Sequence, residues 1–150
     1  MYNPLKVFFI LLGLMVIIVG CSNLQTSDNL KQANFIEPKL IVKPQDHGSS
    51  YSQTVKLPLL VWNSFNYKKV SDLRGAIDTK INYCVINETD GIPVKLDTPI
   101  EFIEDATCFH TFFTSADGIP HKYIVGLVKV KLLETGEEVW TWSKAVQIQK

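Results

Sequence analysis

Two cysteines and two histidines in the second half of the chain carry the side chains best suited to chemistry. They are Cys84, Cys108, His110 and His121. Thiolate and imidazole groups are preferred ligands of zinc and copper, so the four together form a candidate metal set. Cys108 and His110 are two residues apart, which in a β-strand places both side chains on one face. Their spacing matches no common metal-binding module, so a metal site stands as one alternative for these residues.

The sequence contains none of the motifs typical of an enzyme active site. It has no Gly-x-Ser-x-Gly elbow, no Walker loop, no Gly-x-Gly-x-x-Gly fingerprint and no Cys-x-x-Cys pair. His47 lies in a Gly/Ser-rich segment typical of a solvated loop. The acidic residues Glu101, Glu104 and Asp105 lack the alternating spacing of a calcium loop, which favours a solvated turn. We therefore predict a protein that is not an enzyme, with no catalytic residue, no metal and no cofactor.

Composition and charge narrow the class of partner. The chain has 150 residues, of which 46% are hydrophobic, and 15 basic residues balance 15 acidic ones. This length allows one domain, and the apolar content is sufficient for a core. Zero net charge without a basic run argues against a nucleic-acid partner.

The N-terminus has the pattern of a secretory signal. Lys6 precedes an uncharged apolar run over 7–20, and polarity rises directly after Cys21. A run of this length is too short to span a bilayer comfortably and suits the apolar region of a signal peptide. The junction Ile18-Val19-Gly20-Cys21 resembles the lipobox of bacterial lipoproteins.

This resemblance implies that residues 1–20 are removed and that Cys21 carries a diacylglycerol and an N-acyl chain such as palmitate. The residue after the cysteine is Ser22 and not Asp. By analogy with enterobacterial lipoproteins, this implies the outer membrane, facing the periplasm, with the inner membrane as the alternative. The resemblance covers the first 21 residues and names no specific family for the mature domain.

The implied compartment bears on the two remaining cysteines. Outside the cytoplasm disulfides form and persist, and Cys84 and Cys108 allow only one internal pair. An intramolecular disulfide is the favoured expectation. Free or intermolecular thiols and the metal set remain open alternatives.

Strand patterns dominate the mature chain. We predict a lipid-anchored tether and extended arm over 21–53 and a β domain over 54–150. Candidate strands include 79–87, 108–114, 123–133 and 139–148, and helical periodicity is absent at useful length after the signal.

Three turns separate these strands. Asp90-Gly91 and Asp117-Gly118 are strong hairpin signals, and Thr135-Gly136 marks a third turn. The sequence Asp-Gly-Ile-Pro occurs at both of the first two, which predicts two similar hairpins. Hairpins in series predict an all-β fold, a small antiparallel β-sandwich of the Ig-like or a related type.

Aromatic residues admit two interpretations. Trp62, Phe65 and Tyr67 follow one another closely, and Trp140 and Trp142 share a strand face. Exposed aromatics would form a platform for a carbohydrate or peptide, whereas a sandwich core needs the same residues inside. Core packing is the expected outcome.

The functional expectation is a non-enzymatic, lipid-anchored binding or accessory module for a cell-envelope protein complex of the secretion or pilus type. One alternative is a membrane-displayed inhibitor or immunity protein that binds a soluble enzyme. Another is a metal-handling periplasmic lipoprotein that uses Cys108, His110 and His121.

The lipobox yields a direct prediction. Cys21→Ser removes the thiol that accepts the lipid, so the precursor should remain uncleaved and should not incorporate radioactive palmitate. Metabolic labelling and the mass of the membrane-bound product measure both effects. Normal cleavage of the Cys21→Ser chain would contradict the interpretation.

Overall fold

A computed structural model describes residues 31–42, 52–72 and 79–149. The strands in these ranges are β1 (Lys31–Phe35), β2 (Lys39–Val42), β3 (Gln53–Lys56), β4 (Leu60–Trp62), β5 (Asn66–Asp72), β6 (Thr79–Asn87), β7 (Ile92–Pro93), β8 (Pro99–Asp105), β9 (His110–Thr114), β10 (Pro120–Tyr123), β11 (Leu127–Leu132), β12 (Glu138–Trp142) and β13 (Val146–Ile148). Two 3₁₀ turns, Glu88–Asp90 and Ser143–Ala145, interrupt them. No helix within these ranges has the length and apolarity needed to cross a membrane.

The strands form two main sheets and a short ribbon. The large sheet has the order β13-β1-β8-β11-β12-β4-β7, the small sheet has the order β10-β9-β6-β5, and β2 pairs with β3. The predicted all-β fold is confirmed: nearly all pairings are antiparallel, and the sheets pack against each other as in a small sandwich. One pairing differs from the expectation, because β6 and β9 run parallel.

The β domain begins earlier than the predicted boundary at 54. β1 lies inside the large sheet, where Ala33 is opposite both Ile148 of β13 and Ile100 of β8. Ala33 and Phe35 are fully buried. Their two-residue alternation within an otherwise polar segment is the pattern of a half-buried strand. The predicted arm over 21–53 therefore contributes a strand to the core of the sheet, and its first residues, 21–30, lie outside the described part.

Two of the three predicted turns form the expected hairpins. Gly118 connects β9 to β10 with φ of 83°, and Gly136 connects β11 to β12 with φ of 75°. Both angles lie in the left-handed region that glycine adopts without steric cost. These two positions explain why the chain reverses where the sequence indicates.

The hairpin predicted at Asp90-Gly91 is wrong. After β6 the chain makes the 3₁₀ turn Glu88–Asp90, and β7 pairs with β4 and not with β6. Gly91 has φ of −84°, so it does not adopt the left-handed conformation of a hairpin turn. A Cβ there would lie 2.8 Å from the Leu60 side chain, so Gly91 instead permits close approach of the backbone to β4. The repeated Asp-Gly-Ile-Pro sequence thus adopts two different structures.

The single strand predicted over 123–133 is also wrong, because it divides at Gly126. β10 ends at Tyr123 in the small sheet, and β11 starts at Leu127 in the large sheet. A Cβ at Gly126 would collide with the carbonyl oxygen of Cys108. The glycine therefore lets the chain pass close to that loop as it crosses between the sheets.

The main core lies between the two sheets. Its largest members are Trp62 of β4 and Trp142 of β12, both almost completely buried. Their rings meet edge to face with centroids 5.3 Å apart, and the Phe113 ring lies 5.4 Å from that of Trp142. The core interpretation of the tryptophans is thus right for this pair. Trp140 packs against the same cluster but is only partly buried.

A second cluster occupies the opposite face of the large sheet. Its fully or nearly fully buried residues are Ala33, Phe35, Val61, Ile100, Val128, Val130 and Val139. The backbone N–H of Val94 donates to the Leu59 carbonyl, and that of Asp97 to the Phe35 carbonyl. Segment 94–98 is therefore hydrogen-bonded both to the residues before β4 and to β1. The large sheet thus curves around this second cluster.

The expected disulfide between Cys84 and Cys108 is confirmed, with Cα atoms 5.7 Å apart. Cys84 lies on β6 and Cys108 directly before β9, and both are buried in the main core. In the chain-entropy model, closing a loop of this length contributes about 3.5 kcal/mol to stability. The bridge joins the two parallel strands, which have no short turn between them.

The two neighbouring tryptophans of β12 should differ in their effect on stability. Trp142→Ala should lower the free energy of unfolding by about 3–5 kcal/mol, since it empties a fully buried site. Trp140→Ala is the matched control and should cost clearly less, because Trp140 is half-buried. Urea unfolding followed by circular dichroism measures both values. An equal or larger loss from Trp140→Ala would contradict this account of the core.

Candidate binding face

The structure separates the residues that formed the candidate metal set. Cys84 and Cys108 are bonded to each other. His110 contacts Tyr83, whereas His121 lies opposite Phe113 of the main core, so the two imidazoles lie on opposite faces of the small sheet. Among the residues described, no group of three His, Cys, Asp or Glu side chains could hold a metal ion. The predicted lipidation site, Cys21, lies outside the described residues.

His121 belongs to a hydrogen-bonded turn. The Ser115 hydroxyl lies 2.5 Å from Asp117 Oδ1 and 3.3 Å from His121 Nε2. The Ser115 bond lowers the pKa of Asp117. In a Ser-His-Asp triad the imidazole lies between acid and hydroxyl, but here the hydroxyl lies between acid and imidazole. The trio has the arrangement of a structural turn.

The outward surface of the small sheet carries an unusual group of side chains, which we call the aromatic face: Lys68, Tyr83, His110, Phe112 and Lys122. The pairing register of β5, β6, β9 and β10 places these five side chains next to one another. Tyr83 lies opposite Lys68 of β5 and His110 of β9, and Phe112 lies opposite Lys122 of β10. Their inward neighbours Cys84, Thr111 and Phe113 are buried against the large sheet. Alternation in the strands therefore turns the aromatic face away from the main core.

Close contacts order the aromatic face. The Tyr83 and Phe112 rings stack with centroids 4.5 Å apart, and the His110 ring lies 5.2 Å from Tyr83. The Lys122 ammonium lies 5.0 Å from the Tyr83 centroid and the Lys68 ammonium 5.4 Å from that of Phe112. These are cation–π distances. Tyr83 is only 3% exposed, because Phe112, His110 and Lys122 lie against its ring.

His110 is held in an environment that disfavours its charge. Burial, and then the nearby Lys122 ammonium, lower the pKa of His110 below its ordinary value. Its Nδ1 atom is buried and has no hydrogen-bond partner within the described residues. Protonation would place a second cation beside Lys122 without a compensating acceptor.

A groove adjoins the aromatic face at Lys122. It has a volume of about 730 Å³ and lies between β2 and the end of β10. Ile41 and Ile124 line it and are 75% and 79% exposed, and Lys39 and Lys144 stand at its rim. Lys39 pairs with Glu37 at 2.7 Å, which also lowers the pKa of Glu37. Aromatic face and groove share Lys122 and form neighbouring surfaces.

The sequence did not predict the aromatic face. It indicated a strand over 79–87 without saying which of its residues meet solvent, and the aromatics were expected in the core. The available signal was the set of lysines on the neighbouring strands, Lys68 and Lys122, which mark a surface that meets solvent. Recognising it required the parallel pairing of β6 with β9, which no local pattern indicates.

Comparison of the chain with protein-family models, with curated proteins and with solved structures finds no match.

The environment of His110 predicts a pH-dependent stability. Its pKa is lower in the folded chain than in the unfolded chain, so the unfolded state binds a proton more readily below about pH 6.5. The contribution of His110 to the free energy of unfolding is therefore complete above that pH and is lost as the pH falls. His110→Phe keeps an aromatic ring beside Tyr83 and removes the titration.

Urea unfolding at about pH 7.5 and about pH 5.5 tests this pH dependence. Both pH values lie above the range in which ordinary carboxylates titrate. The free energy of unfolding of the natural chain should fall more between the two values than that of His110→Phe. An equal fall in both would show that His110 does not carry the effect.

Proposed function

We propose that this chain is a non-enzymatic, lipid-anchored protein of the cell envelope that binds another envelope protein through the aromatic face. In this role it serves as an accessory or assembly module of a complex of the secretion or pilus type. The aromatic face is the observation that carries the proposal. It is a preordered apolar surface on the outside of a sheet whose other side already completes the core.

The composition of the aromatic face supports a protein partner. Interfaces concentrate aromatic residues at the centre and place polar residues at the rim. Here the half-buried rings of Phe112 and His110 are central and lie against Tyr83, which is itself almost buried, while Lys68 and Lys122 flank them with their aliphatic stems. Two lysines at the rim favour a partner surface that carries carboxylates. Because the rings are already ordered, binding immobilises few side chains.

The position of β1 supports attachment close to a membrane. Cys21, the proposed lipid site, precedes Lys31 by ten residues, which span at most about 35 Å when fully extended. The domain then lies within reach of membrane-embedded partners. Ser22 after the cysteine supports the outer membrane, with the domain facing the periplasm.

An inhibitor or immunity protein displayed on the membrane would use a similar surface, but its partner would be a single soluble enzyme. The identity of the captured partner distinguishes the two roles. The metal-handling alternative has less support, because its thiols form the disulfide and its histidines lie on opposite faces.

Site-specific photo-crosslinking in the cells that make the protein tests the proposal. A photoreactive residue at Ile81, two residues before Tyr83 on the outward side of β6, should give one discrete adduct with a membrane protein. The same residue at Thr135, exposed at the β11–β12 turn, is the control and should not. Adding Lys68→Glu and Lys122→Glu should reduce the Ile81 adduct several-fold. Circular dichroism of the same variant should show that the β fold is retained, since each lost cation–π contact at an exposed site is worth only about 0.5–1 kcal/mol.

An adduct with a soluble enzyme would favour the inhibitor role. Equal adducts from both positions, or none from Ile81, would contradict binding through the aromatic face.

A further inference from the structure

A second concave site lies where the β4–β5 connection meets the end of β6. Its volume is about 300 Å³, at the lower end of the range for small-molecule sites. Polar side chains dominate its lining: Asn63, Ser64, Asn66, Asn87 and Asp90. Phe65 and Trp62 supply aromatic surface. The aromatic face lies on other residues, so this pocket is a separate site.

The walls of the pocket are fixed by contacts. The Trp62 indole Nε1–H donates to the Asn87 carbonyl at 2.8 Å, which ties the β4 wall to the β6 wall. The Asn87 side-chain amide donates to Asp90 Oδ2 at 2.9 Å. Glu88, in the intervening turn, accepts from the Ala116 backbone N–H at 2.7 Å. The Asn87 and Asp90 side chains therefore have defined positions before any ligand arrives, which lowers the entropic cost of binding.

The chemistry of the lining excludes several ligand classes. No Lys, Arg or His lines the pocket, so nothing there would neutralise a phosphate or carboxylate. Asp90 is the single carboxylate, whereas calcium usually takes several charged oxygens among six to eight ligands. Five polar side chains would lose their hydration against a purely apolar ligand. The ligand class that the lining still fits is a neutral molecule rich in hydroxyl groups.

We propose that this pocket binds an uncharged saccharide, either a small oligosaccharide or the terminal unit of a longer glycan. A sugar hydroxyl both donates and accepts, and an asparagine side chain offers a donor and an acceptor in one plane. Asn63 and Asn66 line the pocket on the β4–β5 side and carry such amides. Asp90 Oδ1 accepts a hydroxyl while its other oxygen binds Asn87.

Phe65 provides the apolar contact that a pyranose ring needs for its C–H face. Its own ring is held edge to face between Tyr67 and Trp140, with both centroids 4.8 Å away. The ring is thus positioned by neighbours, and little side-chain freedom is lost when a sugar packs on it. Polar amides on one side and a fixed ring on the other match the two kinds of surface on a sugar.

An NMR titration of the full chain in detergent micelles tests the proposal. The probes are chitotriose, maltotriose and cellotriose, each up to about 20 mM, which detects millimolar affinity. At least one should produce saturable amide shifts confined to 62–66 and 85–91. Asn63→Ala and Asn66→Ala should each weaken that affinity roughly five-fold, the effect of one neutral hydrogen bond. Gln147→Ala, an exposed amide on β13, is the matched control and should leave the affinity unchanged.

Three results would overturn the saccharide site. One is the absence of saturable shifts with all three sugars. Another is an affinity that Asn63→Ala and Asn66→Ala leave unaltered. The third is calcium chloride saturating the same amides while the sugars do not, which would make the pocket a cation site. None of these results depends on the aromatic face, so the two proposals fail separately.

Discussion

The buried indoles of Trp62 and Trp142, which extend from the large sheet onto Asn87 and Phe113 of the small sheet, are the feature on which the two-sheet arrangement depends. Both rings are buried between the sheets, and both N–H groups are satisfied by backbone carbonyls. Trp62 donates to Asn87 of β6, so a residue of the large sheet is bonded directly to the small sheet. Trp142 donates to Pro58, which fixes the segment before β4. A buried indole without such a partner would cost free energy, so these bonds make one packing of the sheets preferable to others.

The disulfide and the parallel pair extend this constraint across the small sheet. β6 and β9 are parallel neighbours, and the connection between them passes through β7 and β8 of the large sheet. The bridge from Cys84 to Cys108 fixes the start of β9 against β6. Because strand residues alternate, the inward placement of Cys84 and Phe113 also fixes the outward placement of Tyr83 and Phe112. The aromatic face is thus ordered by the core beneath it.

The all-β class, the disulfide and the two left-handed glycine turns follow from local chemistry and could be predicted. The structure at Asp90-Gly91 could not, since the same Ile-Pro pair follows it as follows Asp117-Gly118, and its close approach to Leu60 and Trp62 is a long-range contact. β1 was missed because its two buried residues are surrounded by polar ones, and its place depends on partners far along the chain. The aromatic face depends on the parallel register of β6 and β9, and the polar pocket on the meeting of β4 with β6. Both are long-range pairings that local patterns do not determine.

The polar pocket and the aromatic face differ in how the core supports them. Asn87 is bonded to Trp62, so movement of the pocket wall would disturb a buried indole. The rings of the aromatic face are also held by the core beneath them, but its rim lysines, Lys68 and Lys122, are exposed and can shift without opening the core. A small ligand needs fixed hydrogen-bond groups, whereas a protein partner tolerates and reorients flexible rim side chains. The wall that Asn87 and Trp62 hold in place lies at the site proposed for the smaller ligand, and the movable lysines lie at the site proposed for the larger one.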